Sequence, residues 1–175
     1  TFTVQANGDT KVEADETFTV TLGTISDTAN GIDPADILTA ASPQTATITN
    51  DDSATVTLTG ATAQLEGDTG TVSSIFPATL SAAVQDGFDL AYTTDDATAT
   101  TADLDYVNND GTLTFTGNSG ETQTITVLVN GDTQVETDET FTVNLGAVSG
   151  TSGTLDPADI STAGSPQTGT ILNDD

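Results

Sequence analysis

Short runs in which apolar residues alternate with threonine recur along most of the chain, and this period of two predicts β-strands. In the segment 140–145, for example, Phe141, Val143 and Leu145 alternate with polar residues and so share one face of a strand. Threonine, valine and isoleucine suit a half-buried pleated surface. From residue 53 onwards the pattern predicts seven strands, which we call A to G, at 54–59, 71–80, 88–93, 112–116, 123–129, 140–145 and 167–172.

Strands A to G together predict an all-β fold, a seven-stranded antiparallel β-sandwich of immunoglobulin-like shape. The runs are short, clusters of Gly, Asp, Asn and Pro separate them, and helical periodicity is almost absent. One helical signal lies between F and G, where the N-cap acceptor Asp156 precedes Pro157, and we expect one or two helical turns there. Pro77 lies inside strand B and has no N–H for the ladder, which predicts a bulge or an edge.

The sequence also repeats itself over a long distance. Residues 1–52 match residues 124–175 without a gap, so the period is 123 residues. A repeat of this length is a whole domain, because solenoid and propeller units have only about 20–50 residues.

The repeat divides the chain unevenly. We predict that 53–175 is one complete repeat and that 1–52 is the C-terminal part of a preceding repeat, holding its strands E to G at 2–6, 18–22 and 45–49. The chain is then expected to be part of a longer tandem array. Residues 1–52 alone lack the strands that would cover their apolar face.

Charge narrows the functions that such a fold can serve. The 175 residues include 27 Asp and Glu but a single basic residue, Lys11, and the formal net charge is −26. We expect no nucleic-acid partner, because almost nothing here can neutralise phosphates. Cysteine is absent, so any cross-link must come from a metal held by oxygen, and no apolar run approaches the roughly 18 residues of a membrane span.

Acidic residues occur in loops that strand parity places at one end of the sandwich. If consecutive strands alternate in direction, the A–B, C–D and E–F loops and the end of G all lie at the same pole. Carboxylates without a basic partner must take up protons, spread apart in water or bind a hard cation. Ca²⁺ accepts about 6 to 8 oxygen ligands in flexible geometry. Spacing alone does not decide between a calcium site and ordinary solvated acids in loops.

Three stretches of the sequence resemble the Calx-beta domain family. They are Val-Asn-Gly-Asp-Thr-Gln-Val-Glu-Thr-Asp-Glu-Thr-Phe-Thr-Val-Asn-Leu at 129–145, the pair Asp105-Tyr106 followed by Gly-Thr-Leu-Thr-Phe at 111–115, and the closing Asn-Asp-Asp at 173–175. The resemblance implies β-sandwiches of about this length, often in tandem in sodium–calcium exchanger regulatory segments, an integrin and large bacterial surface proteins. Some members of the family bind Ca²⁺ at one pole.

Carried over residue by residue, the resemblance implies a set of calcium ligands in each repeat. In the complete repeat they are Glu66, Asp105, Asp132, Glu136, Glu139, Asp174 and Asp175, and in 1–52 they are Asp9, Glu13, Glu16, Asp51 and Asp52. The sequence departs from the pattern of the best calcium binders where Gly131 and Thr133 flank Asp132, and where Asn173 opens the terminal triplet.

The leading hypothesis is a structural repeat of an extracellular, cell-surface protein, such as a bacterial adhesin stalk or filament, that Ca²⁺ stiffens. Residues 50–55 include no Gly/Ser-rich or Pro-rich linker, so consecutive repeats should abut, and the partners are neighbouring repeats or neighbouring copies in a filament. The alternative is a calcium-sensing regulatory module. We expect no enzyme, because His, Cys and Trp are absent, although paired carboxylates can hydrolyse glycosides.

Strand parity also makes a prediction about the opposite pole of the complete repeat. It places Asp9, Glu13, Asp51 and Asp52 of the preceding repeat near Asp86, in the turn between B and C. These acids repel one another, so we expect a cation to be needed there.

Overall fold

The computed structural model describes residues 2–26 and 32–175, and its contacts divide the chain into two compact units. The first unit contains the residues up to Asn7 and Asp15–Asn50, and the second contains Gly8–Ala14 and Asp51–Asp175. Residues 8–14, which the repeat assigns to the preceding copy, therefore pack with the second unit.

The first unit contains one antiparallel pair of strands among its described residues, β1 (Glu16–Val20) and β2 (Gln44–Ile48). They are the strands predicted at 18–22 and 45–49, shifted by one or two residues. The prediction of a strand at 2–6 is wrong. The corresponding strand of the complete repeat pairs with two neighbours that 1–52 does not contain, so its ladder has no partner here.

Two five-stranded sheets form the second unit, which confirms the predicted β-sandwich. Its strands are β3 (Ala54–Leu58), β4 (Gln64–Leu65), β5 (Gly70–Leu80), β6 (Phe88–Asp96), β7 (Tyr106–Val107), β8 (Gly111–Phe115), β9 (Thr122–Gly131), β10 (Glu139–Ser149), β11 (Ile160–Ala163) and β12 (Gln167–Leu172). One sheet has the order β4-β12-β10-β6-β8 and the other has the order β11-β3-β5-β9-β7.

All seven predicted strands of the complete repeat are present, as β3, β5, β6, β8, β9, β10 and β12 in chain order. The short strands β4, β7 and β11 were not predicted. Of these, β11 pairs in parallel with β3 and β4 pairs in parallel with β12, so the sandwich is antiparallel except at these two short pairs.

The hydrophobic core lies between the two sheets and is formed by alternate residues of their strands. Phe76 of β5, Ile125 of β9 and Phe141 of β10 are fully buried, as the period of two predicts. The rings of Phe76 and Phe141 meet edge to face, with centroids 6.0 Å apart. Each fully buried side chain of this size contributes about 1.5–3 kcal/mol, so these residues hold the sheets together.

Pro77 shows how a central strand accommodates a missing donor. The prediction of a bulge or an edge is wrong, because β5 is an interior strand and pairs with β9 without a register shift from Gly70 to Thr79. The carbonyl of Pro77 accepts a 2.9 Å hydrogen bond from the N–H of Thr59, just after β3 ends. Since N–H and C=O of one residue point to the same side in an antiparallel ladder, the missing donor faces the point where β3 has ended.

The helical segment predicted before the last strand is a single 3₁₀ turn at Pro157–Asp159. Oδ1 of Asp156 caps it by accepting a 2.9 Å hydrogen bond from the N–H of Ala158. Asp33 caps the matching turn at Pro34–Asp36 in the same way. Among residues 2–26 and 32–175, no helix has the length and apolar character needed to cross a membrane.

Candidate metal centre

Three carboxylates meet at one end of the second unit, from Asp105, Glu136 and Glu139. One oxygen atom from each lies within 4.8 Å of the other two. Asp105 directly precedes β7, Glu136 lies in the loop between β9 and β10, and Glu139 opens β10. This is the end at which strand parity predicts that the acidic loops gather.

Hydrogen bonds to its own segment and to β9 hold Asp105, whose side chain is almost buried. Oδ2 accepts a 2.7 Å hydrogen bond from the N–H of Thr100, and the main-chain carbonyl of Asp105 accepts a 2.9 Å bond from the N–H of Asn130. The next residue, Tyr106, is buried and stacks on Phe141 with ring centroids 4.8 Å apart. The position of the Asp105 carboxylate is therefore fixed by the core beneath it.

Glu66 joins this end of the unit from the loop between β4 and β5. Its side chain is buried, and its N–H donates a 3.3 Å hydrogen bond to the carbonyl of Leu172. Burial raises the pKa of the Glu66 carboxyl, and neighbouring carboxylates raise it further, namely those of Asp132, Glu136, Asp175 and Asp174. Glu66 is thus a buried acid among other acids.

The same crowding of negative charge affects Glu139 and Asp175. Burial and the adjacent carboxylate of Asp105 raise the pKa of Glu139 to about 7, and Glu136 and Glu66 add to the effect. Burial and the carboxylates of Asp68, Asp174 and Asp132 raise the pKa of Asp175. All seven predicted ligands of the complete repeat therefore lie in one electrostatic cluster.

Within this cluster the predicted ligands are not equally close. The group of three whose carboxylate oxygens lie within 4.8 Å of one another does not include the other four, Glu66, Asp132, Asp174 and Asp175. Oδ1 of Asp174 accepts a 2.9 Å hydrogen bond from the N–H of Gly67, and Oδ1 of Asp132 accepts a 2.6 Å bond from the N–H of Gln134. A main-chain donor of the β4–β5 loop therefore orients Asp174, whereas a donor of its own loop orients Asp132.

Two residues of this end were not singled out as ligands from the sequence, Asp68 and Asn173. The Asp68 carboxylate raises the pKa of Asp175, and its only sequence signal is its place two residues after Glu66 in the same loop. Oδ1 of Asn173 accepts a 3.0 Å hydrogen bond from the N–H of Glu136. The asparagine that departs from the family pattern therefore positions the main chain of a predicted ligand.

The acids predicted as ligands in 1–52 are gathered less closely. Asp9, Glu13, Asp51 and Asp52 belong to the second unit, whereas Glu16 opens β1 in the first. Burial raises the pKa of Asp52, and Asp51, Asp9 and Glu13 raise it further. In the described part of the chain, however, these acids form no second group as tight as that of Asp105. The reason is that 1–52 lacks the segments that supply Glu66 and Asp105 to the complete repeat.

Lys11 introduces a positive charge among these acids. Its Nζ lies 2.6 Å from Oε1 of Glu13. The hydrogen bond to Glu13 and the nearby carboxylates of Asp86 and Asp9 raise the pKa of Lys11. The sequence predicted acids near Asp86 and did not include Lys11 among its neighbours, whereas the one basic residue of the chain also lies near it. In the complete repeat Gln134 replaces Lys11, and its side-chain amide contacts the carboxylate of Glu136.

The donor set around Asp105 fits a hard divalent cation. It consists of carboxylate oxygens, and two oxygens bound to one Ca²⁺ at about 2.3–2.6 Å lie at most about 5 Å apart, a limit that the three carboxylates meet. Asp105 and Glu66 are only 7% and 4% exposed, and no basic residue is among the groups that shift the pKa values of this cluster. Buried charges of one sign are costly unless a counter-charge binds them.

Comparisons with known proteins agree with this fold. The Calx-beta domain profile matches residues 1–54 and 49–165. The apo form of the Calx CBD1 domain is similar at 23% identity and a TM-score of 0.51, over 69% of this chain and 98% of that one. CBD12 from CALX1.2 is similar at 23% identity and a TM-score of 0.53, over 68% of this chain and 46% of that one. Similarity at this level of identity establishes the fold alone, and no curated protein matches the sequence.

The family assignment rests on the sequence profile, which covers most of the chain in two successive matches. The two similar structures have the same sandwich architecture. The motifs at 105–106, 129–145 and 173–175 all lie in or beside the clustered acids or the strands that carry them. The chain therefore belongs to the Calx-beta domain family.

Proposed function

We propose that the second unit is a calcium-binding structural repeat of an extracellular, cell-surface protein, such as an adhesin stalk or a filament. The observation that carries the proposal is the group of Asp105, Glu136 and Glu139, whose carboxylate oxygens lie within 4.8 Å of one another. Further acids surround this group, and no basic residue shifts their pKa values. A cation held there would be shared by loops from separate parts of the sandwich.

Calcium at this end would stabilise the folded unit in two ways. It would relieve the repulsion among the carboxylates, and it would tie the segment before β7 to the β9–β10 loop in a chain that has no disulfide. A ligand that binds only the folded state stabilises it by about 2.7 kcal/mol at a hundred times its dissociation constant. Extracellular calcium modules typically bind at about 10⁻⁴–10⁻³ M, which suits a structural ion.

The repeat itself supports a structural role. The family profile matches the chain twice in succession, and the two matches overlap at 49–54, where the sequence has no flexible linker. Partners of the unit are then neighbouring repeats of the same chain or neighbouring copies in a filament. Close succession of domains favours a rod, and calcium would stiffen it.

Thermal unfolding of the whole chain in millimolar Ca²⁺ and in chelator tests the calcium site. Calcium should raise the melting temperature of the natural chain, and Asp105→Asn and Glu136→Gln should remove most of that rise. Asp156→Asn is the matched control, since Asp156 caps a 3₁₀ turn and should leave the calcium response intact. Identical melting curves in both conditions would refute the proposal.

Stiffening needs a separate measurement. In a chain with two complete repeats in tandem, small-angle scattering should give a longer and narrower distribution of end-to-end distances in Ca²⁺ than in chelator. Equal distributions would leave calcium as a fold stabiliser only. Micromolar affinities that differ between adjacent repeats would favour the calcium-sensing role instead.

A further inference from the structure

Two valines at equivalent positions of the repeat have opposite environments. Val12 is completely buried, whereas Val135 is 77% exposed. They are 123 residues apart, and each follows the sequence Asn-Gly-Asp-Thr-x and precedes a glutamate. The local sequences are therefore nearly the same, and the main difference lies in the surroundings.

Val12 is buried because its segment, Gly8–Ala14, adds to the end of the second unit. It forms a parallel bridge with Val84, and its N–H donates a 2.9 Å hydrogen bond to the carbonyl of Ala83. The carbonyl of Val12 in turn accepts a 2.9 Å bond from the N–H of Gln85. The side chain of Gln85 extends the contact, because its Oε1 accepts a 3.1 Å bond from the N–H of Ala14.

The surface that receives Val12 is the turn between β5 and β6, residues 83–85, which we call the seat. Val84 of the seat is 2% exposed and belongs to the hydrophobic core. Its N–H donates a 2.9 Å hydrogen bond to the carbonyl of Gly117, so the turn between β8 and β9 supports the seat. The seat is part of the complete repeat, and every further copy of that repeat would present one.

We propose that Val135 is a docking residue that inserts into the seat of a following copy of the same repeat, as Val12 does in the seat of the second unit. The bound segment would be 131–137. The main chain of Val135 would form hydrogen bonds with the residues equivalent to Ala83 and Gln85 in the following copy. The N–H of Thr137 would contact the side chain of that equivalent glutamine. Val135 lies between the predicted calcium ligands Asp132 and Glu136, so docking and the metal centre share one loop.

The charge at the proposed contact differs from the charge at the observed one. The seat is followed by Asp86, and in the observed pairing Lys11 of the docked segment lies near it. In the 131–137 segment the position of Lys11 is taken by the neutral Gln134. The second contact would therefore have the same apolar anchor and the same main-chain bonds, but without the compensating lysine.

A chain extended by one more copy of 53–175 after Asp175 tests the inference. Because the protein has no cysteine, Val135→Cys can be paired cleanly with a cysteine at the Val84 position of the added copy. Val12→Cys with Val84→Cys in the natural chain is the positive control, since docked pairs have the short separation that a disulfide requires. Ile75→Cys, an exposed apolar site on β5, paired with the same cysteine of the added copy, is the negative control.

Under oxidised glutathione, the Val135→Cys pair should link at a rate close to that of the positive control and about tenfold or more faster than the negative control. Linking no faster than the Ile75→Cys pair, in both Ca²⁺ and chelator, would overturn the inference. Amide exchange of the added copy's residue equivalent to Gln85 gives a second readout without cysteines. It should be slowed in the natural sequence and return to fast exchange in Val135→Asn, and fast exchange in both chains would also overturn the inference.

The inference rests on the repeat geometry and does not require the proposed calcium site. Cross-linking that persists in a protein without any calcium-induced rise in melting temperature would refute the proposed function and leave the docking intact. A calcium-induced rise in melting temperature without cross-linking would support the proposed function and overturn the docking inference.

Discussion

The hydroxyl of Tyr106 donates a 2.6 Å hydrogen bond to Oδ1 of Asp96, and this bond joins the segment that carries Asp105 to the end of β6. The ring of Tyr106 stacks on Phe141 of β10, only two residues from Glu139. Tyr106 belongs to β7 in one sheet, whereas Phe141 and Asp96 belong to the other. One side chain therefore connects the segment that carries Asp105 to the sheet that carries Glu139.

Replacing Tyr106 by phenylalanine should lower the melting temperature, and the difference should depend on pH. The hydrogen bond from Tyr106 lowers the pKa of Asp96 below its ordinary value of 3.8. A lowered pKa contributes stability above the ordinary value, and that contribution is lost as pH falls through the folded-state pKa. The difference in melting temperature between Tyr106→Phe and the natural chain should therefore be largest at neutral pH and should become smaller below about pH 4.

Tyr92→Phe is the matched control for this experiment. Its hydroxyl donates to Oδ1 of Asn109 at 3.3 Å, an acceptor without charge. The loss in Tyr92→Phe should therefore be the same at every pH in the range. If the two variants show parallel pH profiles, the bond to Asp96 does not have the role assigned to it.

Glu139→Gln should change how the stability of the metal-free chain depends on pH. Burial and Asp105 raise the pKa of Glu139 from 4.5 to about 7. A raised acid pKa contributes stability below the unfolded value, which is lost as pH rises through the folded value. In chelator the natural chain should thus lose stability between about pH 4.5 and pH 7, and Glu139→Gln, which stays uncharged, should lose less.

Calcium should reverse this trend, because it binds the ionised carboxylate. The calcium-induced rise in melting temperature should be larger at about pH 8 than at about pH 5.5, as expected when a proton and a metal compete for the same ligand. Titration of the natural chain by calorimetry at both pH values measures the competition directly. Equal rises at the two pH values would contradict the position assigned to Glu139.

The strands of this fold could be predicted where alternation is long enough to be recognised. Phe141 and Val143 of β10 are buried as predicted, and β12 has the bounds that the sequence indicates. The short strands β4, β7 and β11 have two to four residues, too few for a period of two to stand out. Their strand character comes from neighbours such as β12 and β3, which sequence alone does not place beside them.

The candidate site was predictable in outline but not in detail. Strand parity and the family resemblance both indicate that Glu66, Asp105 and Glu136 meet at one pole. Neither indicates that Asn173 positions Glu136, because that contact joins two distant loops through a main-chain donor. The burial of Val12 shows the same limit, since Val135 has nearly the same local sequence and remains exposed.

Residues 1–52 expressed alone should not unfold cooperatively. Phe2 and Val4 are 64% and 53% exposed, and Leu22 and Ile48 are 48% and 40% exposed. An isolated pair of strands is marginally stable at best, and its open edges favour aggregation. Circular dichroism during heating should show no sharp transition, whereas the whole chain should show one. A cooperative transition in monomeric 1–52 would mean that this part is an independent domain.

Gly131→Ala should destabilise the second unit and weaken its response to calcium. A Cβ at Gly131 would lie 1.9 Å from the carbonyl oxygen of Gly67 and 2.5 Å from that of Glu66, so the loop that carries Glu66 must move. Such overpacking typically costs about 1–3 kcal/mol. Gly8→Ala is the control, because it is the equivalent position of the preceding repeat and its Cβ would meet no described atom within 4 Å. Urea unfolding should separate the two variants, and calcium titration should show a weaker midpoint only for Gly131→Ala. Equal behaviour of both would mean that the β4–β5 loop adjusts freely and that Glu66 does not depend on this contact.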